Sequence, residues 1–253
     1  PGEPDLVFLR VWCEGEDENV SGNLVFEVFR AISYLLQGSG EAPPFVLVGV
    51  GYPGTCPMAG AVLRGRDFTF PGYPLLKLTP PDIEGVLAPG PGGKAFFGAE
   101  DFQKFLEREL FPEIEARYPV RPAERTYFGH SGGGGFGLFT LLNAPHLFRN
   151  YVVSSPGLVF HGTSSAGVAY DDYDFGLRLV RAFVAAGGRL DGRRLYMSVG
   201  QAEEHETALR EWRLLSSFRR MASVLQGLAI PGLDLTLEEF PNETHATAWP
   251  IAF

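Results

Sequence analysis

The chain has 253 residues, 45% of them hydrophobic and 20% charged, which is enough to bury a sizeable core in one globular domain spanning residues 1–253. A formal net charge of −9 and a pI near 5.1 argue against a general nucleic-acid or membrane-surface binder, because both surfaces are anionic; an anionic ligand would need a local basic pocket. Cys13 and Cys56 are too few for a disulfide framework or a cysteine-rich metal site, and no apolar run approaches membrane-spanning length.

In chain order, Ser21-Gly22-Asn23-Leu24 precedes a helix expected over residues 25–36. Residues 45–50 form a short continuous apolar run between Pro43-Pro44 and the Gly51-Tyr52-Pro53-Gly54 turn, as in a strand buried on both faces. A Pro- and Gly-rich stretch over 71–93 is the longest irregular segment, of a length more often functional than idle. Residues 100–118 read as a helix, with Phe102, Phe105, Leu106, Leu110 and Ile114 on one face and Glu100 and Asp101 in the first turn. A strand over 125–128 and a helix over 136–142 follow, then a strand over 151–154 closed by Ser155-Pro156-Gly157. Residues 174–186 are helical and end at Gly187-Gly188, 195–199 a strand, and 208–225 a helix burying Trp212, Leu215, Phe218, Met221 and Leu225. The last strand, over 233–240, alternates Leu233, Leu235 and Leu237 with polar neighbours and is half exposed. This alternation predicts an α/β fold: a mostly parallel central sheet flanked by helices on both faces.

Between the strand over 125–128 and its following helix lies Gly129-His130-Ser131-Gly132-Gly133. The pattern and its context place Ser131 as a nucleophile on a sharp strand-to-helix turn, with the Gly132 N–H aimed at the oxyanion. A serine hydroxyl is weakly nucleophilic and needs a base within hydrogen-bond reach. In hydrolases of this architecture the order is serine, acid, histidine. His130 lies in the turn, where it diverges from Ser131 and is a candidate substrate contact. His146 and His161 come before any strand-end carboxylate of the later sheet, and His205 occupies the loop where the acid belongs. His245, after the last strand, has the right order. The loop after Val199 offers Glu203 first and Glu204 second as the acid that fixes the histidine tautomer. The second oxyanion donor is expected from an early loop, with the Asn23 N–H or Tyr52 as candidates.

Several segments taken together resemble the esterase family of α/β-hydrolases that contains the enterochelin and salmochelin esterases. They are Gly49-Val50-Gly51-Tyr52-Pro53, Arg64-Gly65-Arg66-Asp67-Phe68, Gly92-Gly93, Gly129 to Gly133, Ser154-Ser155-Pro156, Gly200 to Glu203 and Glu243-Thr244-His245, and they span nearly the whole chain. The resemblance implies the α/β-hydrolase fold and a serine esterase without cofactor or metal, with Ser131 and His245 carried over. It places the acid three positions after the glycine ending its strand, at Glu203. Two departures stand out. The family's early Leu-Asp-Gly is here Val20-Ser21-Gly22, after the acidic run Glu14 to Glu18, and the family's further helix after the histidine is not expected in a chain that stops at Phe253.

These readings predict a carboxylic ester hydrolase working through an acyl-enzyme on a small-molecule ester, most like a siderophore esterase of the enterochelin type. Acetyl, feruloyl or S-formylglutathione-like esters, or a catalytically silent binding protein, are the alternatives. An anionic catecholate substrate calls for cations at the mouth, and Arg64, Arg66 and Lys94 are candidates, Arg64 and Arg66 being otherwise solvated or paired with Asp67. Tyr52, Phe68 and Phe70 line an acyl pocket or pack the core. Few cysteines favour a reducing, cytoplasmic setting; the chain starts at Pro1 rather than methionine, so a removed signal and a secreted or periplasmic setting stay open. Of two N-x-[ST] sequons, at Asn19 and Asn242, a glycan on the second would crowd His245.

Overall fold

The computed structural model describes residues 5–10, 18–51, 57–70, 98–163, 169–172 and 174–253. Six strands form one sheet: β1 (Asp5–Arg10), β2 (Phe45–Gly49), β3 (Thr126–His130), β4 (Asn150–Ser154), β7 (Arg193–Gly200) and β8 (Leu233–Phe240). Their order is β2-β1-β3-β4-β7-β8 and every pairing is parallel. Two further strands, β5 (Phe160–Thr163) and β6 (Ala169–Asp172), make a separate antiparallel pair. Parallel strands need crossovers, and helices supply them on both faces.

One face carries Tyr127, Tyr151, Val153, Leu195, Met197 and Val199, packed in a cluster with residues of α3 (Ala99–Phe105), α5 (Gly132–Asn143), α6 (Phe175–Ala185) and α7 (Leu214–Leu228). The other carries Phe128, Val152 and Tyr196, covered by α1 (Glu18–Ser39) and α8 (His245–Ala252) through Phe29, Trp249 and Phe253. The period-2 geometry of strands makes this division: Tyr127 and Phe128 are both buried, yet they serve opposite layers. In β8 the leucines are half-buried and Asp234, Thr236 and Glu238 exposed, as the alternation predicts.

The expected elements are present, with shifted bounds. The helix anticipated over 100–118 is α3, a π-helical turn at Leu106–Leu110 and α4 (Phe111–Arg117); Pro112 has no N–H to offer a preceding carbonyl. Residues 208–213 do not join α7 as expected. They hold a 3-10 turn, Arg210–Trp212, and Arg213 at φ 47° separates it from the helix. Three strands, β1, β5 and β6, and two helices, α2 (Pro57–Phe68) and α8, were not anticipated. The helix after the histidine exists after all, opening at His245 itself, with Thr244 and Thr247 forming a reciprocal capping box.

Candidate active site

β3 delivers Ser131 to the carboxyl edge of the sheet, where α5 begins. Ser131 is the residue before the helix and adopts φ 57°, ψ −121°, a region sparsely populated by residues with a Cβ. Three backbone hydrogen bonds fix the turn: Ser131 N–H to the Ser154 carbonyl at 3.0 Å, and Gly157 and Gly135 N–H to the Ser131 carbonyl at 3.0 and 3.1 Å. The turn is tight enough to dictate its glycine. A Cβ on Gly129 would lie 2.4 Å from the Gly133 carbonyl oxygen, itself held by the Tyr127 hydroxyl at 2.6 Å. Gly132 is the first residue of α5, so its N–H has no acceptor four residues back and lies at the positive end of the helix dipole. Ser131 is half-buried.

Two loops at the same edge hold the other groups. Glu203, in the loop after β7, is fully buried, and a buried carboxylate requires donors. It has three: Ser155 Oγ at 2.5 Å and Gly200 N–H at 2.7 Å on Oε1, and His245 Nδ1 at 2.7 Å on Oε2. A carboxylate only accepts, so the Nδ1 proton is on the histidine and Nε2 carries the lone pair. The acid loop and the histidine loop are also joined through backbone. Ala202 N–H reaches the Glu243 carbonyl at 2.9 Å and His245 N–H reaches Glu206 Oε2 at 2.8 Å, placing a negative charge at the start of α8. Gly200 is required by this closeness, since a Cβ there would meet the Glu243 oxygen at 2.3 Å.

His130, the neighbour of Ser131 in sequence, faces inward on the α8 side. It is 2% exposed, its ring centroid 4.2 Å from that of His245 and its Nδ1 3.2 Å from Ser154 Oγ. Burial first, and then the repulsion that His245 exerts whenever both rings are protonated, hold its imidazole well below the ordinary 6.5. It is therefore neutral, and its contacts are internal; the expectation that it touches substrate is corrected.

The candidate residues thus separate. Glu203 meets His245, whereas Glu204 accepts from Ser216 N–H and Oγ at 2.8 and 2.7 Å and caps α7. His205 is exposed, and His146 is an exposed partner of Glu107. Asn23 lies within α1, which begins at Glu18 rather than near residue 25; there a backbone N–H is directed to the carbonyl four residues back, so the oxyanion role expected of it is corrected. β1 pairs with β3, and residues 11–17, which follow β1, lie outside the described residues. So do Tyr52, Lys94, Cys13, Cys56 and all of the 71–93 stretch.

On α2, Arg66 Nε donates to the buried Asp67 at 2.7 Å, the pairing weighed from the sequence. Arg64 is half-buried on the same helix. Phe68 and Phe70 are core residues, against Phe136 at 5.6 Å and stacked on Phe139 at 4.1 Å. Two residues were missed by sequence reasoning, Ser155 and Glu206. Ser155 lies 48 residues from Glu203, and nothing local signals that pairing. Glu206 sits in the acid loop, in a run of carboxylates that masks its contact with the His245 backbone. Among the described residues no group of three or more His, Cys, Asp or Glu side chains is placed to hold a metal ion, and no helix is long and apolar enough to cross a membrane.

A family model described as "Putative esterase" matches residues 91–253. The ferri-bacillibactin esterase BesA of Bacillus subtilis is 29% identical over 234 residues, covering 88% of this chain and 72% of that protein. The siderophore triacetylfusarinine C esterase of Aspergillus fumigatus is 33% identical over 175 residues, 62% of this chain and 52% of that protein. The solved siderophore hydrolase EstA from Aspergillus nidulans has a TM-score of 0.71 at 21% identity, over 99% of this chain and 80% of that one. That likeness is one of fold, and the architecture is the α/β-hydrolase one.

Proposed function

This chain belongs to the esterase family of serine ester hydrolases, and from that premise we propose that it cleaves ester bonds of a siderophore through an acyl-enzyme on Ser131. The observation that carries the reading is the buried Glu203 carboxylate holding His245 Nδ1 at 2.7 Å, with the His245 ring 4.2 Å from that of His130, the residue before Ser131 in its strained turn. In this mechanism His245 Nε2 takes the Ser131 proton as Oγ bonds to the ester carbonyl carbon. Glu203 stabilises the imidazolium, and the Gly132 N–H donates to the oxyanion. Collapse of the tetrahedral intermediate breaks the bond to the leaving alcohol, which takes the proton from His245. Water then attacks the acyl-enzyme with His245 again as base, releasing the acid and restoring Ser131.

The siderophore assignment is supported by the substrates named for the relatives from B. subtilis and A. fumigatus. Arg64 on α2 is its cationic side, Arg66 being paired with Asp67, since the helix ends against α5 through Phe68 and Phe136, within two turns of Ser131. The test combines covalent labelling with a substrate panel. A fluorophosphonate labels the wild type and not Ser131→Ala, and a catecholate trilactone is turned over with at least about 100-fold higher kcat/KM than feruloyl or acetyl esters, about 2.7 kcal/mol of discrimination. Labelling that persists in Ser131→Ala removes the nucleophile assignment. A preference for the feruloyl or acetyl ester removes the siderophore.

A further inference from the structure

Ser155 stands at the end of β4, one strand away from the nucleophile's, and three observations single it out. It is fully buried, it adopts φ 45° although it carries a Cβ and precedes Pro156, and its hydroxyl lies 2.5 Å from Glu203 Oε1. Both its own N–H and that of Gly200 are committed: Ser155 N–H to the Ser198 carbonyl at 2.7 Å, Gly200 N–H to Glu203 Oε1 at 2.7 Å. A residue before proline is steered away from helical backbone, and positive φ is disfavoured in any residue with a side chain. Strain of this kind persists only where surrounding structure imposes it, and it gathers at functional sites. Here the imposed conformation directs the hydroxyl at one oxygen of one carboxylate.

We propose that Ser155 is a positioning residue for the acid: by occupying Glu203 Oε1 together with the Gly200 N–H, it leaves Oε2 as the face presented to His245. The proposal rests on the reading of Glu203 as the acid partner of His245. The division of labour follows from donor count. An ionised carboxylate has about four lone-pair sites, and in this buried one three protein donors meet them, two on Oε1 and one on Oε2. With Ser155 in place the two oxygens have different partners and cannot exchange roles without breaking hydrogen bonds. With it removed, Oε1 keeps a single donor, the carboxylate is free to turn about its last bond, and the proton-bearing Nδ1 of His245 loses its fixed acceptor. The neighbouring Ser154 points its hydroxyl the other way, at His130, so the two consecutive serines serve the two buried groups on either side of His245.

Ser155→Gly removes the hydroxyl and at the same time suits the φ of this position, so folding is retained by design. With p-nitrophenyl butyrate as probe, Ser155→Gly is expected to lower kcat on the order of 10-fold or more with KM within 2-fold of the wild type, and with the thermal midpoint unchanged or higher. Ser155→Ala, which keeps a Cβ, should show the same loss of kcat. In a Glu203→Ala background there is no carboxylate to orient, and Ser155→Gly should add less than 2-fold. A purely structural serine would multiply the two losses, and that outcome overturns the proposal, as does a Ser155→Gly enzyme within 2-fold of wild type. A Glu203→Ala enzyme with wild-type kcat overturns the acid assignment beneath it, a different result from a sensitive Glu203 and an indifferent Ser155.

Discussion

Glu203→Gln should cost more than the loss of a charge, because the pocket decides which way the new amide points. Oε1 of Glu203 accepts from the Ser155 hydroxyl and from the Gly200 N–H. The Gly200 N–H can only donate, so the amide oxygen of the glutamine takes the Oε1 place and its NH2 takes the Oε2 place, facing His245 Nδ1. A donor there requires Nδ1 to accept, which moves the imidazole proton to Nε2. The ring is then the wrong tautomer to receive the serine proton. Flipping the amide restores the tautomer but leaves the buried Gly200 N–H against an NH2 group, at about 1–3 kcal/mol. That route sets the smallest loss, roughly 10- to 100-fold. Full reliance on the wrong tautomer sets the largest, about 10⁴-fold in kcat, or roughly 5.5 kcal/mol at 1.36 kcal/mol per decade. The expected result is a fall of about 10- to 10⁴-fold in kcat on a p-nitrophenyl ester, with KM nearly unchanged and normal circular dichroism. Glu204→Gln, which alters only the cap of α7, should keep wild-type kcat. A Glu203→Gln enzyme within 10-fold of wild type would refute the argument.

Two further outcomes follow from the same geometry. Ser131→Gly should abolish turnover yet raise the thermal midpoint by about 2–4 °C, since relief of about 1–3 kcal/mol of strain at φ 57° exceeds the 0.5–1 kcal/mol lost to glycine's freedom in the unfolded chain; a lower midpoint contradicts this. His130 has a folded-state pKa lowered by burial and by His245, so below its ordinary 6.5 the unfolded chain binds a proton that the folded one refuses, and stability falls as pH falls from there. His130→Gln should flatten that acid slope in thermal melts taken from pH 7 to pH 5, and an unchanged slope assigns it to other groups.

The parts legible in the sequence were those whose signal is local. Residues 233–240 alternate and form a strand with those bounds, and the glycines around Ser131 mark a close approach that the 2.4 Å clearance at Gly129 makes obligatory. The order of the elements came from such signals, as did the proposal of Ser131 and His245, and the proposal of Glu203 over Glu204 needed the family pattern. The misses have physical causes. Ser21-Gly22 imitated a helix start although α1 begins at Glu18, where acidic residues suit the dipole. The helix after His245 was not expected, yet the Thr244–Thr247 capping box opens it, and Pro250 falls six residues after the cap, near the end, where few hydrogen bonds are left to lose. His130 looked like a substrate contact because sequence gives adjacency to Ser131, not the facing direction, which β3 sets by placing His130 on the same side as Phe128. Ser155 and Glu206 act across 48 and 39 residues of chain, a distance no local pattern reports.

The position of β8 has a kinetic consequence. Among the described residues it ends the sheet, bonded only to β7, and the histidine loop hangs from it while the acid loop hangs from β7. Glu203 and His245 are therefore registered by the outermost strand pair, not by the central strand that carries Ser131. Edge strands open at lower free energy than the global transition, so amide exchange along residues 233–240 should report the fraction of time the enzyme spends without a working base. Warming would then silence the enzyme while Ser131 still sits in an intact turn, and cooling would restore it without refolding.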